Sequence, residues 1–192
     1  MKKLCVFTGA ATGSDPRLAD AAHQLGQILA SRNLGLVYGG GKSGLMGTIA
    51  DAVIAADGHV TGIIPKFLDN VEIAHRGLND LHVIDTMHER KNMMYEIADG
   101  FIIMPGGLGT LDETMEIITW RQLGLHRKPI IIANLYGYWD HMLLLFQNII
   151  DAGFMHHGHT GHFEHVNDMD ELADRLDLYF PTSYGDNDQT HP

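Results

Sequence analysis

Cysteine is almost missing from this chain of 192 residues: Cys5 is the only one. No intramolecular disulfide can form. A thiol inside the apolar run Leu4-Cys5-Val6-Phe7 reads as an inert strand residue rather than a nucleophile. Basic side chains are scarce too, 13 against 24 acidic ones, for a formal net charge of −11. A general nucleic-acid binder presents a basic face to the phosphate backbone, so the charge argues against that class. A small anion remains open, because a local cluster of backbone N–H groups can outweigh a negative global charge. Long apolar runs are absent as well. Nothing reaches the length of a membrane span or a signal h-region, so no membrane partner is expected and the expected compartment is the cytoplasm.

What is present is alternation. Short apolar runs at 4–8, 34–38, 60–64, 81–84, 101–104 and 129–133 read as strands. Between and after them, residues 15–33, 45–56, 88–98, 111–125, 138–151 and 170–179 read as helices, the first with Ala19, Ala22, Leu25, Ile28 and Leu29 at helical spacing. Residues 66–80 show no clear period. The expected fold is α/β: a single Rossmann-like doubly wound domain over residues 1–180, with a mainly parallel sheet flanked by helices. Residues 181–192 are polar and are expected to form a flexible tail.

Two glycine-rich segments fall where a strand hands over to a helix, the place where ligands bind in such folds. The first, Tyr38-Gly39-Gly40-Gly41-Lys42-Ser43-Gly44-Leu45-Met46-Gly47, makes Gly40, Gly41, Gly44 and Met46 candidate ligand contacts. It formally matches G-x-G-x-x-G, but the next strand ends without the acidic residue that a dinucleotide needs. Nor is it a P-loop, since Leu36 stands where that motif requires glycine. The second segment is Pro105-Gly106-Gly107-Leu108-Gly109-Thr110-Leu111-Asp112-Glu113. Here backbone N–H groups and the Thr110 hydroxyl suit a phosphate. Leu108 and Leu111 are expected to pack inward, and Glu113 to lie in the helix's first turn, where the dipole favours its ionised form. A plain capping box between Thr110 and Glu113 is an equally good reading of that spacing.

The second loop matches the signature PGGxGTxxE, and Met87-His88-Glu89-Arg90-Lys91 resembles MHxRK. With the GGGxxGLMG-like first loop and the run Ile117-Ile118-Thr119-Trp120-Arg121-Gln122-Leu123-Gly124, the chain resembles the LONELY GUY (LOG) family from Leu4 to about Phe154. That family comprises cytokinin riboside 5′-monophosphate phosphoribohydrolases. The resemblance implies a Rossmann-like homodimer that cleaves AMP-type nucleotides to free base and ribose 5-phosphate without a cofactor or metal. It puts Arg90 and Glu113 on the catalytic pair, and Glu72, Lys91, Gly106, Gly107, Leu108, Gly109, Thr110, Leu111, Asp112 and Thr119 on nucleotide-contacting positions. Related sequences often carry the label lysine decarboxylase, but no Schiff-base lysine with a supporting pyridoxal phosphate site is identifiable.

Two segments depart from the family. Its GSSxG is here Gly9-Ala10-Ala11-Thr12-Gly13, without the serine hydroxyls. After Glu72 the run Ile73-Ala74-His75-Arg76-Gly77 replaces an ITGE-like one, so Arg76 reverses a charge near the expected base pocket.

On spacing alone, Arg90 and Lys91 also fit a solvated basic turn. Met87, Met93, Met94 and Met115 could line a base pocket or simply fill the core. An apolar face carrying Ile117, Ile118 and Trp120 suits either burial or a second subunit. The cluster His156, His157, His159, His162 and His165 matches no compact metal motif and reads as a surface loop. Two other functions stay in view. One is a non-catalytic carrier of a phosphorylated ligand, as molybdenum-cofactor carriers are; the other is a broader nucleotide monophosphate nucleosidase.

Overall fold

A computed structural model describes residues 1–69, 74–155 and 161–181. Strand β1 (Lys3–Phe7) sets the layering through its period of two. Leu4 and Val6 belong to the core on one face of the sheet, Cys5 and Phe7 to the core on the other. Its neighbours are β2 (Gly35–Tyr38), β3 (Val60–Pro65), β4 (Asp80–Ile84), β5 (Gly100–Ile103), β6 (Ile130–Ala133) and β7 (Glu164–Val166). All pair in parallel in the order β4-β3-β2-β1-β5-β6-β7.

Helices cover both faces, as a parallel sheet requires. On the Leu4 face lie α1 (Arg17–Ser31), α2 (Gly44–Ala55) and α7 (Met169–Tyr179), burying Leu25, Leu29, Ile49, Val53, Leu172 and Leu176. On the Cys5 face lie α4 (Met87–Ile97), α5 (Leu108–Gln122) and α6 (Asp140–Asp151), contributing Met94, Ile117, Ile118, Met142 and Phe146. Each such side chain contributes about 1.5–3 kcal/mol on burial. The expected α/β fold and the parallel sheet are therefore present.

Three details differ from the periodicity. β7 carries no predicted strand, because its three residues include just one buried side chain, Val166. Among its described residues the stretch 66–80 has a short helical turn, α3 (Lys66–Leu68), before β4. Helix α5 starts at Leu108 rather than Leu111, since Gly107 is its N-cap and Gly109 lies inside its first turn. Glycine there looks like loop but is helix. Of the tail, Pro181 is described; residues 182–192 lie outside the described residues.

The topology creates one crevice. From β1 the chain proceeds through α1 to β2 on one side, while α4 carries it from β4 back to β5 on the other. Ligand sites in open α/β sheets form at such a switch point, outside the strands' carboxyl ends.

Candidate active site

Arg90 reaches the crevice from α4. That helix is anchored by a capping box: Glu89 N–H donates to Thr86 Oγ1 at 3.1 Å, and Thr86 N–H to Glu89 Oε2 at 2.9 Å. The guanidinium is buried, and its Nη2 lies 3.5 Å from the Gly39 carbonyl and 3.9 Å from Glu113 Oε1. The latter spacing brings opposite charges together without a tight hydrogen bond. Arg90 Nε is buried and has no hydrogen-bond partner among the described residues, which is costly in the absence of a ligand. Gly39 is required beneath it: an added Cβ would lie 2.0 Å from Arg90 Nη2.

Lys91 follows on the same helix. Burial alone would lower its pKa, but contacts at 3.2 Å to both Asp112 and Glu116 on α5 outweigh that and hold it above the ordinary lysine range. The ammonium stays charged and ties α4 to α5.

Glu113 is carried by α5, five residues after its start and so in the second turn rather than the first. No capping box forms between Thr110 and Glu113: the N-cap is Gly107, and Thr110 sits buried inside the helix. Leu108, expected to pack inward, is 85% exposed: it opens the helix beside a separate apolar groove. Leu111 does pack against the core on the Cys5 face. The loop before α5 has its carbonyls turned away and occupied. Pro105 O accepts from Thr8 Oγ1 and Gly9 N–H, Gly106 O from Tyr138 Oη, and Gly107 O from Leu111 N–H. The first N–H groups of α5 are left for a ligand, as at any helix start.

These elements enclose a cleft of about 360 Å³. Arg90, Lys91, Gly107, Gly109, Thr110, Asp112, Glu113 and Met46 line it together, all proposed from sequence. Reasoning from sequence left out Phe7, Thr8, Gly9, Ala10, Gly39 and Leu68 as wall residues. The loop after β1 is the one that departs from the family pattern. Met87 and Met94 also line the cleft, whereas Met93 and Met115 do not. Gly40, Gly41 and Gly44 lie outside the wall, in the turn beneath it. Gly40 and Gly44 take positive φ of 77° and 66° there. Gly106, Leu108 and Leu111 border a separate apolar groove with Trp139 and Leu145. Thr119 is exposed about two turns further along α5. Arg76 pairs with Asp69 at 2.6 Å and does not line the cleft. Glu72 lies outside the described residues.

A pyridoxal phosphate site does not fit here. The lysine that lines the cleft is held protonated between two carboxylates, whereas a Schiff-base lysine must give up its proton. Cys5 is fully buried, and burial, with the nearby Glu113, pushes its thiol pKa well up, against the lowering influence of Arg90 and Lys128. It is no nucleophile. Among the described residues no group of three or more His, Cys, Asp or Glu side chains is arranged to hold a metal ion. His156, His157 and His159 lie outside them. No helix of the described residues is long and apolar enough to cross a membrane.

Comparison with known proteins places this geometry in context. A family profile described as possible lysine decarboxylase matches residues 46–176. Cytokinin riboside 5′-monophosphate phosphoribohydrolase LOG5 of Arabidopsis thaliana is 41% identical over 184 residues, covering 96% of this chain and 81% of that protein. The LOG7 enzyme of the same name and plant is 45% identical over 154 residues, covering 80% of this chain and 71% of its own. Among solved structures, the molybdenum cofactor binding protein of Rippkaea orientalis superimposes with a TM-score of 0.70 at 20% identity, covering 93% of this chain and 97% of that one. That likeness concerns the fold alone.

Proposed function

Because this chain belongs to the LOG family of cytokinin riboside 5′-monophosphate phosphoribohydrolases, we propose that it hydrolyses the N-glycosidic bond of adenosine 5′-monophosphate or its N6-modified forms. The products are free base and ribose 5-phosphate. The observation that carries the reading is the buried approach of Arg90 to Glu113, 3.9 Å apart, in a cleft bordered by the start of α5.

The 5′-phosphate sits before the first turn of α5, where N–H groups and the helix dipole favour an anion despite the chain's net charge of −11. Lys91 lines the cleft beside that turn, its charge offset by Asp112 and Glu116. That anchorage fixes the distance from the phosphate to the sugar carbon C1′, which faces Glu113. As the bond from C1′ to the base nitrogen breaks, positive charge builds on the ribose. The Glu113 carboxylate stabilises that charge and orients a water whose oxygen bonds to C1′. One of the water's protons ends on the departing base. Arg90 is always charged and is too weak an acid to supply that proton. Its role is to orient the nucleotide and to stabilise charge as the base leaves. Phe7, Met46, Met87 and Met94 give the cleft an adaptable apolar wall for the base.

The same reading makes residues 1–180 one nucleotide-binding domain of a cytoplasmic homodimer. Thr119, outside the cleft of a single chain, would then meet nucleotide only through the second subunit. Liquid chromatography of AMP, GMP, CMP and isopentenyladenosine monophosphate after incubation with the protein tests the reading. Equimolar free base and ribose 5-phosphate are expected from the adenine nucleotides. Release from all four at similar rates would make it a general nucleotide nucleosidase. Binding without release would replace the enzyme by a carrier.

A further inference from the structure

Resting on the phosphoribohydrolase reading, we propose that Tyr138 is a positioning residue for the nucleotide's phosphate. Its hydroxyl donates to the Gly106 carbonyl at 2.7 Å, across 32 residues of sequence. In a planar trans peptide the C=O and the next residue's N–H point in opposite directions, and no cis bond occurs among the described residues. Holding the Gly106 carbonyl toward Tyr138 therefore turns the Gly107 N–H the other way. Gly107 borders the cleft with Arg90 and Glu113 and also two hollows that Gly106 and Tyr138 line together. Gly106 and Tyr138 line those hollows and not the cleft, so the carbonyl lies on their side and the N–H is turned toward the cleft. That N–H joins those of the first turn of α5, where the phosphate is placed.

The rest of the loop explains why a tether is needed. Gly107 is the N-cap of α5, with extended backbone and no side chain to cap the helix. Gly106 is packed against Thr110 and Gly9, but a Cβ at Gly107 or Gly109 would meet nothing within 4 Å, so packing holds the peptide at its Gly106 end and not at Gly107. The orientation is set by carbonyl partners instead, and the Gly106 peptide's partner is a side chain from another element.

Tyr138 is itself rigidly delivered. It follows Tyr136 and Gly137, whose φ values of 57° and 72° reverse the chain after β6. Asn134 braces that turn by donating Nδ2–H to Asp140 at 2.8 Å and accepting Trp139 N–H at 2.7 Å. The Tyr138 ring packs edge-on against Trp139 with centroids 4.8 Å apart. Tyr138 is 46% exposed, so loss of the hydroxyl leaves the core intact.

The test is Tyr138→Phe, which removes one hydroxyl. Losing a hydrogen bond of ordinary strength weakens phosphate binding about five- to tenfold. With AMP, KM should rise by that factor while kcat stays within about twofold. Competitive inhibition by inorganic phosphate and by ribose 5-phosphate should weaken in parallel, whereas inhibition by free adenine should not change. An unchanged KM and phosphate inhibition, or a loss that falls equally on adenine, would overturn the proposal. Calorimetric titration of inorganic phosphate into wild type and variant measures the same difference without turnover. Failure of the wild type to cleave any nucleotide would therefore count against the enzyme reading, while the titration still decides the role of Tyr138.

Discussion

In the loop after β2, a methyl group added at Gly39 would lie 2.0 Å from Arg90 Nη2, and one at Gly44 would lie 2.3 Å from the Ala10 carbonyl. In the loop after β5, a methyl at Gly107 or Gly109 would meet nothing within 4 Å. Both segments look like phosphate cradles in sequence, yet their glycines serve different ends. The first is closed against protein: its glycines let α2, the β1 loop and Arg90 pack together. In the second, Gly106 is closed in the same way, a Cβ there lying 2.1 Å from Thr110 Oγ1, while Gly107 and Gly109 are open and leave room for something the chain does not supply. A glycine-rich motif thus marks a close approach without saying what approaches, and the surroundings of the absent Cβ make the distinction.

The largest effect should come from breaking the closed loop. Gly39→Ala forces the Arg90 guanidinium away from Glu113, and a displacement of about 1 Å in a positioning group can cost about 100-fold. Steady-state kinetics on AMP should show that fall in kcat/KM. The thermal midpoint should move little, since the far end of one side chain is what must yield. Near-wild-type activity would mean that Arg90 is not held where it acts.

The open loop should respond in the reverse sense. Gly109→Ala improves helix propensity by about 0.5–1 kcal/mol at an unobstructed site, so the free protein should melt at the same or a higher temperature. Its KM for AMP should nevertheless rise about tenfold, because the methyl occupies the space assigned to phosphate. A variant that melts higher and binds as wild type would remove phosphate from that loop.

A smaller effect separates the far end of α5 from its catalytic start. Burial lowers the pKa of His126, against the hydrogen bond to the Ile117 carbonyl at 2.9 Å, with Arg121 and Lys128 reinforcing the fall. Its Nδ1 accepts the Lys128 N–H at 3.2 Å, so the folded ring is neutral. A lowered folded value means that this stabilisation is present above the unfolded pKa of about 6.5 and is lost as pH drops through the folded value. His126→Gln should cost about 1 kcal/mol at neutral pH. Denaturant titrations at falling pH should show the gap to wild type narrowing below about pH 6, with KM for AMP at neutral pH unchanged.

Much of this was legible beforehand. The apolar alternation set out the layers, and the signatures around Arg90 and Glu113 named residues that meet in one cleft. Three features escaped for physical reasons. β7 is too short for a period of two to register. The first turn of α5 is hidden because Gly109, which lies inside it, has poor helix propensity. Tyr138 has no local signal at all: its hydrogen bond to Gly106 spans 32 residues and exists only once β6 lies beside β5. The capping box also fell on a different pair, Thr86 with Glu89 rather than Thr110 with Glu113, since the latter spacing lies inside a helix already begun.

The most direct measurement compares wild type with Glu113→Gln on AMP, following free adenine by chromatography and binding by calorimetry in the same preparations. If the carboxylate stabilises the developing charge on ribose, the variant should bind AMP within a few-fold of wild type and release adenine at least about 1,000-fold more slowly. Release at the wild-type rate would contradict the account and move the chemistry away from Glu113.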